Sequence, residues 1–373
     1  MDYEIKIFNE IDETLKVYWK DLESHSHNYC FQTYDWFENW VKNYKNNNEN
    51  FNLRVVVIKA QAKILCILPF KIEKKYNLKI LRWAGDSHLD FCSPILDKNF
   101  NLDKKTFTQL FKTVVSLIKN IDIVYLIRQP KYVDKVENPF VLFFNNLIDS
   151  NNYYVSLPKT WTEYTSRILK KNFYQQNLRK KRLLKKAGKL KFKIVKNEND
   201  KIKILDEFQI QKNIRLSTKN SKQLIESKDL NFYKELEKKE NKNLETHLSY
   251  LMLNEKIISI HWGVIYKKRF YYLLLSMKEG EFSRFSPGRL LIALLIRWSI
   301  SKKLEIFDFT LGDENYKKSW SNKSNLLYNY AYLNTLKGFY LFPLIKFKLF
   351  VKSLNKNNYL RKLILKIKDF FDL

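Results

Sequence analysis

Glycine, proline and cysteine are all scarce in this chain of 373 residues, with seven Gly, seven Pro and three Cys. So few Gly and Pro exclude a collagen-like repeat and a Gly/Pro low-complexity chain. Three cysteines, Cys30, Cys66 and Cys92, are too few for a disulfide framework, and no CxxC pair marks a structural zinc site. Acids are in the minority: 39 Asp+Glu stand against 68 Lys+Arg, a net charge of +29. The start, Met1-Asp2-Tyr3-Glu4, has no apolar run, so no signal peptide is expected. The longest apolar runs, such as Leu290–Ile296, fall well short of the roughly 18 residues of a membrane span. The expectation is a soluble protein, or one peripheral to a membrane. Familiar motifs are missing too: GxGxxG, the Walker lysine loop, GxSxG and HExxH.

What is present is apolar and aromatic. Hydrophobic residues make up 45% and aromatic ones 16%, enough to offset the entropy of ordering and to exclude a wholly disordered chain. The length suggests about two domains. The charge has two readings. It attracts polyanions such as nucleic acid, anionic lipid or phosphorylated carriers, or it reflects Lys and Asn enrichment throughout.

Periodicity predicts a helical Leu15–Tyr44, strands near Leu53–Ile58, Ile64–Phe70 and Ile80–Trp83, a helix over Lys105–Lys119 and a strand Ile121–Ile127. The pattern breaks near Ser150-Asn151-Asn152 and Pro158. This places an N-terminal domain at 1–155, a second at 156–340 and a basic amphipathic tail at 341–373. A helix over Thr162–Gly188 is expected to stop at Gly188. From Arg167 to Lys193 there are twelve Lys/Arg and no acid. That run reads as a polyanion site, as a dock for an anionic membrane, or as a solvated helix face. After helices at Lys201–Leu216 and Glu226–Lys239, three strands follow: Thr246–Leu253, Lys256–Ile265 and Arg269–Met277, with hairpin tips at Asn254-Glu255 and Lys267-Lys268. A helix Arg289–Ser301, opened by Phe285-Ser286-Pro287-Gly288, and a strand Glu305–Phe309 complete an α/β, or α+β, mixed sheet.

The segment most capable of chemistry is Arg269–Trp320. Pro287 suits a first helical turn, Ser286 is placed to cap it, and Gly288 permits close backbone approach. Free N–H groups, the helix dipole, Arg284 and Arg289 together make an anion site suited to a pyrophosphate. The five histidines are scattered. His25 and His27 have no third ligand at useful spacing, and His261 reads as a hydrogen-bonded strand residue. No metal is expected.

The residues Arg284-Phe285-Ser286-Pro287-Gly288-Arg289-Leu290-Leu291, then Phe307-Asp308-Phe309-Thr310-Leu311-Gly312-Asp313-Glu314 and Tyr316-Lys317-Lys318-Ser319-Trp320, resemble the GNAT acyl-CoA N-acyltransferases. Within them the pattern resembles the CelD/BcsL-like branch. The basic helix Tyr164–Gly188, Tyr34-Asp35-Trp36-Phe37 with Trp40, and Leu65–Pro69 extend the likeness over about residues 30–340. The resemblance implies tandem GNAT-like domains, as in Fem-type aminoacyltransferases, with the donor in the second. By position, Ser286, Pro287, Gly288, Arg289 and Leu290 would line the pyrophosphate loop with Arg284 nearby. The loop departs from the usual GNAT pattern, which carries a second Gly or Ala and a leading Arg or Gln at fixed spacing. Tyr316 would protonate the leaving thiolate and Lys317 would stabilise negative charge. Asp308 or Glu314 would act as base, and Asp90 would bind acceptor. The implied activity is transfer from acetyl-CoA or another acyl-CoA to an amino sugar or a lipid-linked sugar precursor in envelope polysaccharide synthesis, by a cytoplasmic protein at the inner face of the membrane. Aminoacyl transfer from transfer RNA, or a non-catalytic membrane or nucleic-acid binding module, remain the rivals.

Overall fold

The computed structural model describes residues 2–45, 51–218, 224–238 and 244–354. The chain divides into two compact units. The first holds residues up to Glu38, a segment ending at Asn151 and the chain from Asn325; the second holds the helix end from Asn39 and Asn152–Ser324. The sequence boundary at 155/156 thus stands beside an observed division at 151/152. Residues 325–340, assigned to the second domain by chain order, group with the first. The reason is pairing: strand Lys323–Leu333 runs antiparallel to Ile123–Pro130, with Leu327 opposite Pro130 and Leu333 opposite Ile123.

In the first unit the strands Tyr3–Phe8, Phe51–Ala60, Lys63–Lys75 and Leu78–Trp83 pair antiparallel in that order. A helix over Lys104–Ile118 then crosses over, capped by Asp103, whose carboxylate accepts from Thr106 N at 3.0 Å. It delivers Ile123–Pro130 parallel to Leu78–Trp83. One expected helix is two. Leu15–Tyr44 divides into Glu13–His25 and Tyr34–Lys45, because the backbone turns extended at Ser26 and a short turn, Cys30–Gln32, intervenes.

The second unit repeats this plan. Strand β1 (Leu147–Ser156) enters it at Asn152. Helix α1 (Lys171–Ala187) and strand β2 (Leu190–Ile194) follow, then helices α2 (Glu198–Thr218) and α3 (Ser227–Glu237). Strands β3 (Glu245–Leu253), β4 (Lys256–Tyr266) and β5 (Arg269–Met277) lead to helix α4 (Pro287–Ser301), strand β6 (Ile306–Leu311) and helix α5 (Asn315–Trp320). The sheet order is β1-β6-β5-β4-β3-β2, with β5 and β6 parallel. The continuous helix expected over Thr162–Gly188 is broken. A wide turn occupies Tyr164–Ile168, Leu169 is extended, and α1 starts only at Lys171. The buried Tyr164 hydroxyl anchors the break by donating to the Trp320 carbonyl at 2.7 Å.

The core beneath α4 is aromatic. Phe270 stacks on Phe307 with ring centroids 4.9 Å apart, and Tyr272 and Phe309 continue the ladder. Leu291, Ile292, Leu295 and Ile296 of α4 cover it. Each such side chain contributes about 1.5–3 kcal/mol by leaving water. Of the tail, the helix Phe342–Leu354 is described, while Tyr359–Leu373, read as amphipathic, lies outside the described residues.

Candidate active site

The site begins where the pairing of two parallel strands ends. β5 and β6 are in register at only three positions: Arg269 with Ile306, Phe270 with Phe307 and Tyr271 with Asp308. A bulge on the other side of β5, between Trp262 and Gly263, sits opposite this point and adds local twist. Gly263 is required there, because a Cβ would stand 2.2 Å from the Tyr271 carbonyl oxygen. The recorded pairing of the two strands ends at Tyr271, and Tyr272 and Phe309 carry the aromatic ladder past that point.

Tyr272, the first residue past the shared register, is fully buried, and its hydroxyl has no hydrogen-bond partner. Burial, reinforced by Tyr316 and Glu314, raises its pKa well above the usual phenol value. Tyr316 is raised by burial and by Glu314 in the same way. Both phenols therefore keep their protons at neutral pH and act as hydrogen-bond donors. Sequence reasoning missed Tyr272; the only local signal was its place in the strand that feeds the Ser-Pro-Gly turn.

Asp308 and Lys317 have structural work. Asp308 is completely buried. Its carboxylate accepts from Arg269 Nη1 at 2.8 Å, Asn152 Nδ2 at 2.7 Å and Thr310 N at 2.8 Å. A carboxylate so engaged, at 0% side-chain exposure, is a poor proton acceptor. Its third bond holds Thr310 at φ 56°, unfavourable for a β-branched residue. The buried Lys317 ammonium donates to the Leu311 carbonyl and pairs with Glu314 at 3.1 Å, which fastens the loop after β6. Gly312, at φ 129°, lets the Glu314 carboxylate fold back, for a Cβ there would meet Glu314 Oε2 at 2.2 Å. Glu314 is the exposed carboxylate of the set, at 55% side-chain exposure.

At the far end of β5 lies the helix α4 N-terminus. Ser286 precedes it in the left-handed region, φ 54° and ψ 61°, and makes no side-chain cap. The expected capping role fails because its hydroxyl instead accepts from Lys180 Nζ of α1 at 2.5 Å. Gly288 N–H points at the Met277 sulfur, 3.2 Å away, a weak acceptor that a better one would displace. Arg289 lies over the Phe173 ring at 4.5 Å, and its Nη2 is buried without a partner. Burial, then the neighbouring Arg289 and Arg179, lower the Lys180 pKa; burial lowers that of Arg289. Two basic side chains beside a helix N-terminus are the chemistry that suits an anion. In the sequence Lys180 is indistinguishable from the other cations of the basic run.

The other expected residues are placed differently. Pro287 occupies the first turn. Leu290 points into the core with Leu184, Leu251 and Leu253. Arg284 lies on its neighbour Phe285 at 4.8 Å. Asp90 belongs to the first unit, half-buried in a loop. His25 and His27 approach separate carboxylates, Asp97 at 3.3 Å and Asp134 at 2.8 Å. Among the described residues no three His, Cys, Asp or Glu are grouped to hold a metal ion. His261 departs from the hydrogen-bonded reading: both its ring nitrogens are buried without partners, as are those of His247.

Residues 171–318 match the acetyltransferase (GNAT) domain family. No curated protein matches the chain. Among solved structures, FemX is similar at 10% identity and TM-score 0.60, over 91% of this chain and 99% of that one. The C-terminal domain of a lysylphosphatidylglycerol synthetase from Agrobacterium fabrum is similar at 10% identity and TM-score 0.52, over 88% and 95%. L-PGS from Bacillus licheniformis is similar at 9% identity and TM-score 0.52, over 92% and 98%. At such identities the likeness concerns the fold alone. The mixed α/β fold is shared with these structures, and the acetyltransferase (GNAT) domain matched at residues 171–318 supports an acyltransferase.

Proposed function

We propose that the protein transfers an acyl group from acetyl-CoA or another acyl-CoA to the amine of an amino sugar, or of a related lipid-linked precursor, in envelope polysaccharide synthesis. The observation that carries the donor half is the grouping of Lys180, Arg289 and the α4 N-terminus beyond the end of the β5/β6 pairing. The acceptor half rests on the resemblance to the CelD/BcsL-like branch. Coenzyme A supplies the thioester. The chain's own groups bind its pyrophosphate, orient the carbonyl and move protons. As the amine attacks, β5 backbone N–H groups beyond Tyr271 meet the developing oxyanion. Glu314 accepts the amine proton, and Tyr316, aided by Tyr272, donates to the departing thiolate. Asp308 and Lys317 act as positioning residues.

A thermal-shift titration with acetyl-CoA, longer acyl-CoAs and free coenzyme A tests the donor. A concentration-dependent rise in melting temperature is expected. Gly288→Asp should weaken donor binding about tenfold or more, since it sets a charge against the pyrophosphate. Equal affinity in both proteins removes the loop assignment. Tyr316→Phe should lower kcat about 100-fold and leave donor affinity unchanged. A kcat within twofold of the parent assigns the proton to another group.

One observation favours a second reading. Arg179, Arg182, Lys185 and Lys186 of α1 are exposed, a cationic face suited to the phosphates of an aminoacyl-transfer RNA. Salt-sensitive transfer RNA binding with no coenzyme A binding would select it. Membrane-peripheral placement in the cytoplasm belongs to the same proposal. It is supported by exposed Leu336, Phe339, Leu344 and Phe347 interleaved with Lys337 and Lys346. Among the described residues no helix is long and apolar enough to cross a membrane.

A further inference from the structure

Between α4 and α1 is a cavity of about 160 Å³. Its walls are aromatic, from Trp161, Tyr174 and Trp320, and its floor is built of leucines from both helices. Asn177 of α1 lines it, and both polar atoms of its carboxamide are buried without a hydrogen-bond partner. The indole N–H of Trp320, a residue only 1% exposed, is likewise without a partner. Lys181 and Arg297 complete the lining, which contains no acid.

Each feature restricts the occupant. An orphaned buried carboxamide costs stability unless a ligand supplies an adjacent donor and acceptor. Aromatic walls accept a flat π-face. Paired cations without an acid call for an anion. Adenine presents an amino donor beside a ring-nitrogen acceptor, which an Asn carboxamide meets with two hydrogen bonds, whereas guanine offers two acceptors on the same edge. A cavity of about 150 Å³ admits a benzene ring, so this one holds a ring system whose sugar and phosphate extend outward.

We infer that the α1–α4 cavity is an adenine-nucleotide site, with Asn177 reading the base and Lys181 and Arg297 holding phosphate. The adenine has two possible sources. One is a free nucleotide. The other is the adenosine end of the acyl donor, since Gly288 and Arg297 are separated by about 13 Å along α4. The inference rests on the cavity and not on acyl transfer, and its first arm uses no acyl donor, so the two readings fail separately.

Calorimetric titration of the full chain with AMP, GMP and adenosine tests it. AMP should bind, GMP about tenfold more weakly. Asn177→Ala, which keeps a strong helix former at the position, should weaken AMP about tenfold and erase the AMP/GMP difference. Lys181→Ala with Arg297→Ala should weaken AMP but not adenosine, which gives an independent reading if the Asn177 variant fails to fold. Acetyl-CoA that displaces AMP, where acetyl-pantetheine does not, identifies the donor's adenosine as the occupant. Simultaneous binding of acetyl-CoA and AMP identifies a free nucleotide. No AMP binding at millimolar concentration, or an unchanged AMP/GMP ratio in Asn177→Ala, overturns the inference.

Discussion

Arg269→Met is expected to cost about 3–5 kcal/mol of stability, because it leaves the Asp308 carboxylate charged, buried and short of its cation. The loss exceeds that of an ordinary surface ion pair, worth about 0–1 kcal/mol. Arg269 is at the start of the three-residue register between β5 and β6, so the damage falls on that pairing. Asp308 also holds Thr310 in its left-handed conformation, which costs about 1–3 kcal/mol when unsupported. The double variant Arg269→Met with Asp308→Leu should recover part of the loss, since an apolar pair leaves no stranded charge. Urea denaturation followed by circular dichroism measures both. A loss below about 1 kcal/mol in the single variant would contradict the buried-pair account.

Acid should destabilise the second unit well before carboxylates dominate its titration. Burial lowers the His247 pKa to about 4, with Lys201 adding to the shift, and burial with His247 beside it holds His261 well below the usual value. In the unfolded chain both titrate near 6.5. Between these limits the unfolded state binds more protons, so stability is fully present above pH 6.5 and falls as pH drops towards 4. For His247 alone the complete loss is roughly 3 kcal/mol. The urea midpoint should therefore decline between pH 7 and pH 5. His247→Phe with His261→Phe, which keeps the ring stack among Phe270, Tyr272 and Trp298, should flatten that decline. An unchanged slope in the double variant would assign the protons elsewhere.

Local signals account for what could be read in the chain beforehand. The hairpins β3-β4 and β4-β5 were legible because alternating apolar runs flank Asn254-Glu255 and Lys267-Lys268, and all four of these tip residues take positive φ, as tight hairpin turns demand. The Pro287 start of α4 was legible for an equally local reason. The roles inside the site were less so. Asp308 looked like a base because its neighbours Arg269 and Asn152 are distant in sequence. Ser286 looked like a cap until Lys180, from another helix, took its hydroxyl. Tyr272 and Asn177 became visible only as polar atoms that folding leaves unpartnered, a property of packing that no window of sequence carries. The return of Lys323–Leu333 to the first unit is invisible for the same reason, as it depends on a partner strand far back in the chain.

That return delays the completion of the earlier-made unit. The strand Ile123–Pro130 lacks its Lys323–Leu333 neighbour until the whole second unit has been translated. At about 5–20 residues per second on the ribosome, the stretch from Pro130 to Asn325 occupies on the order of 10–40 s. Throughout that interval the earlier-made unit presents an open strand edge, the kind of surface that recruits stray strands. The nascent chain must shelter that edge until the strand Lys323–Leu333 arrives.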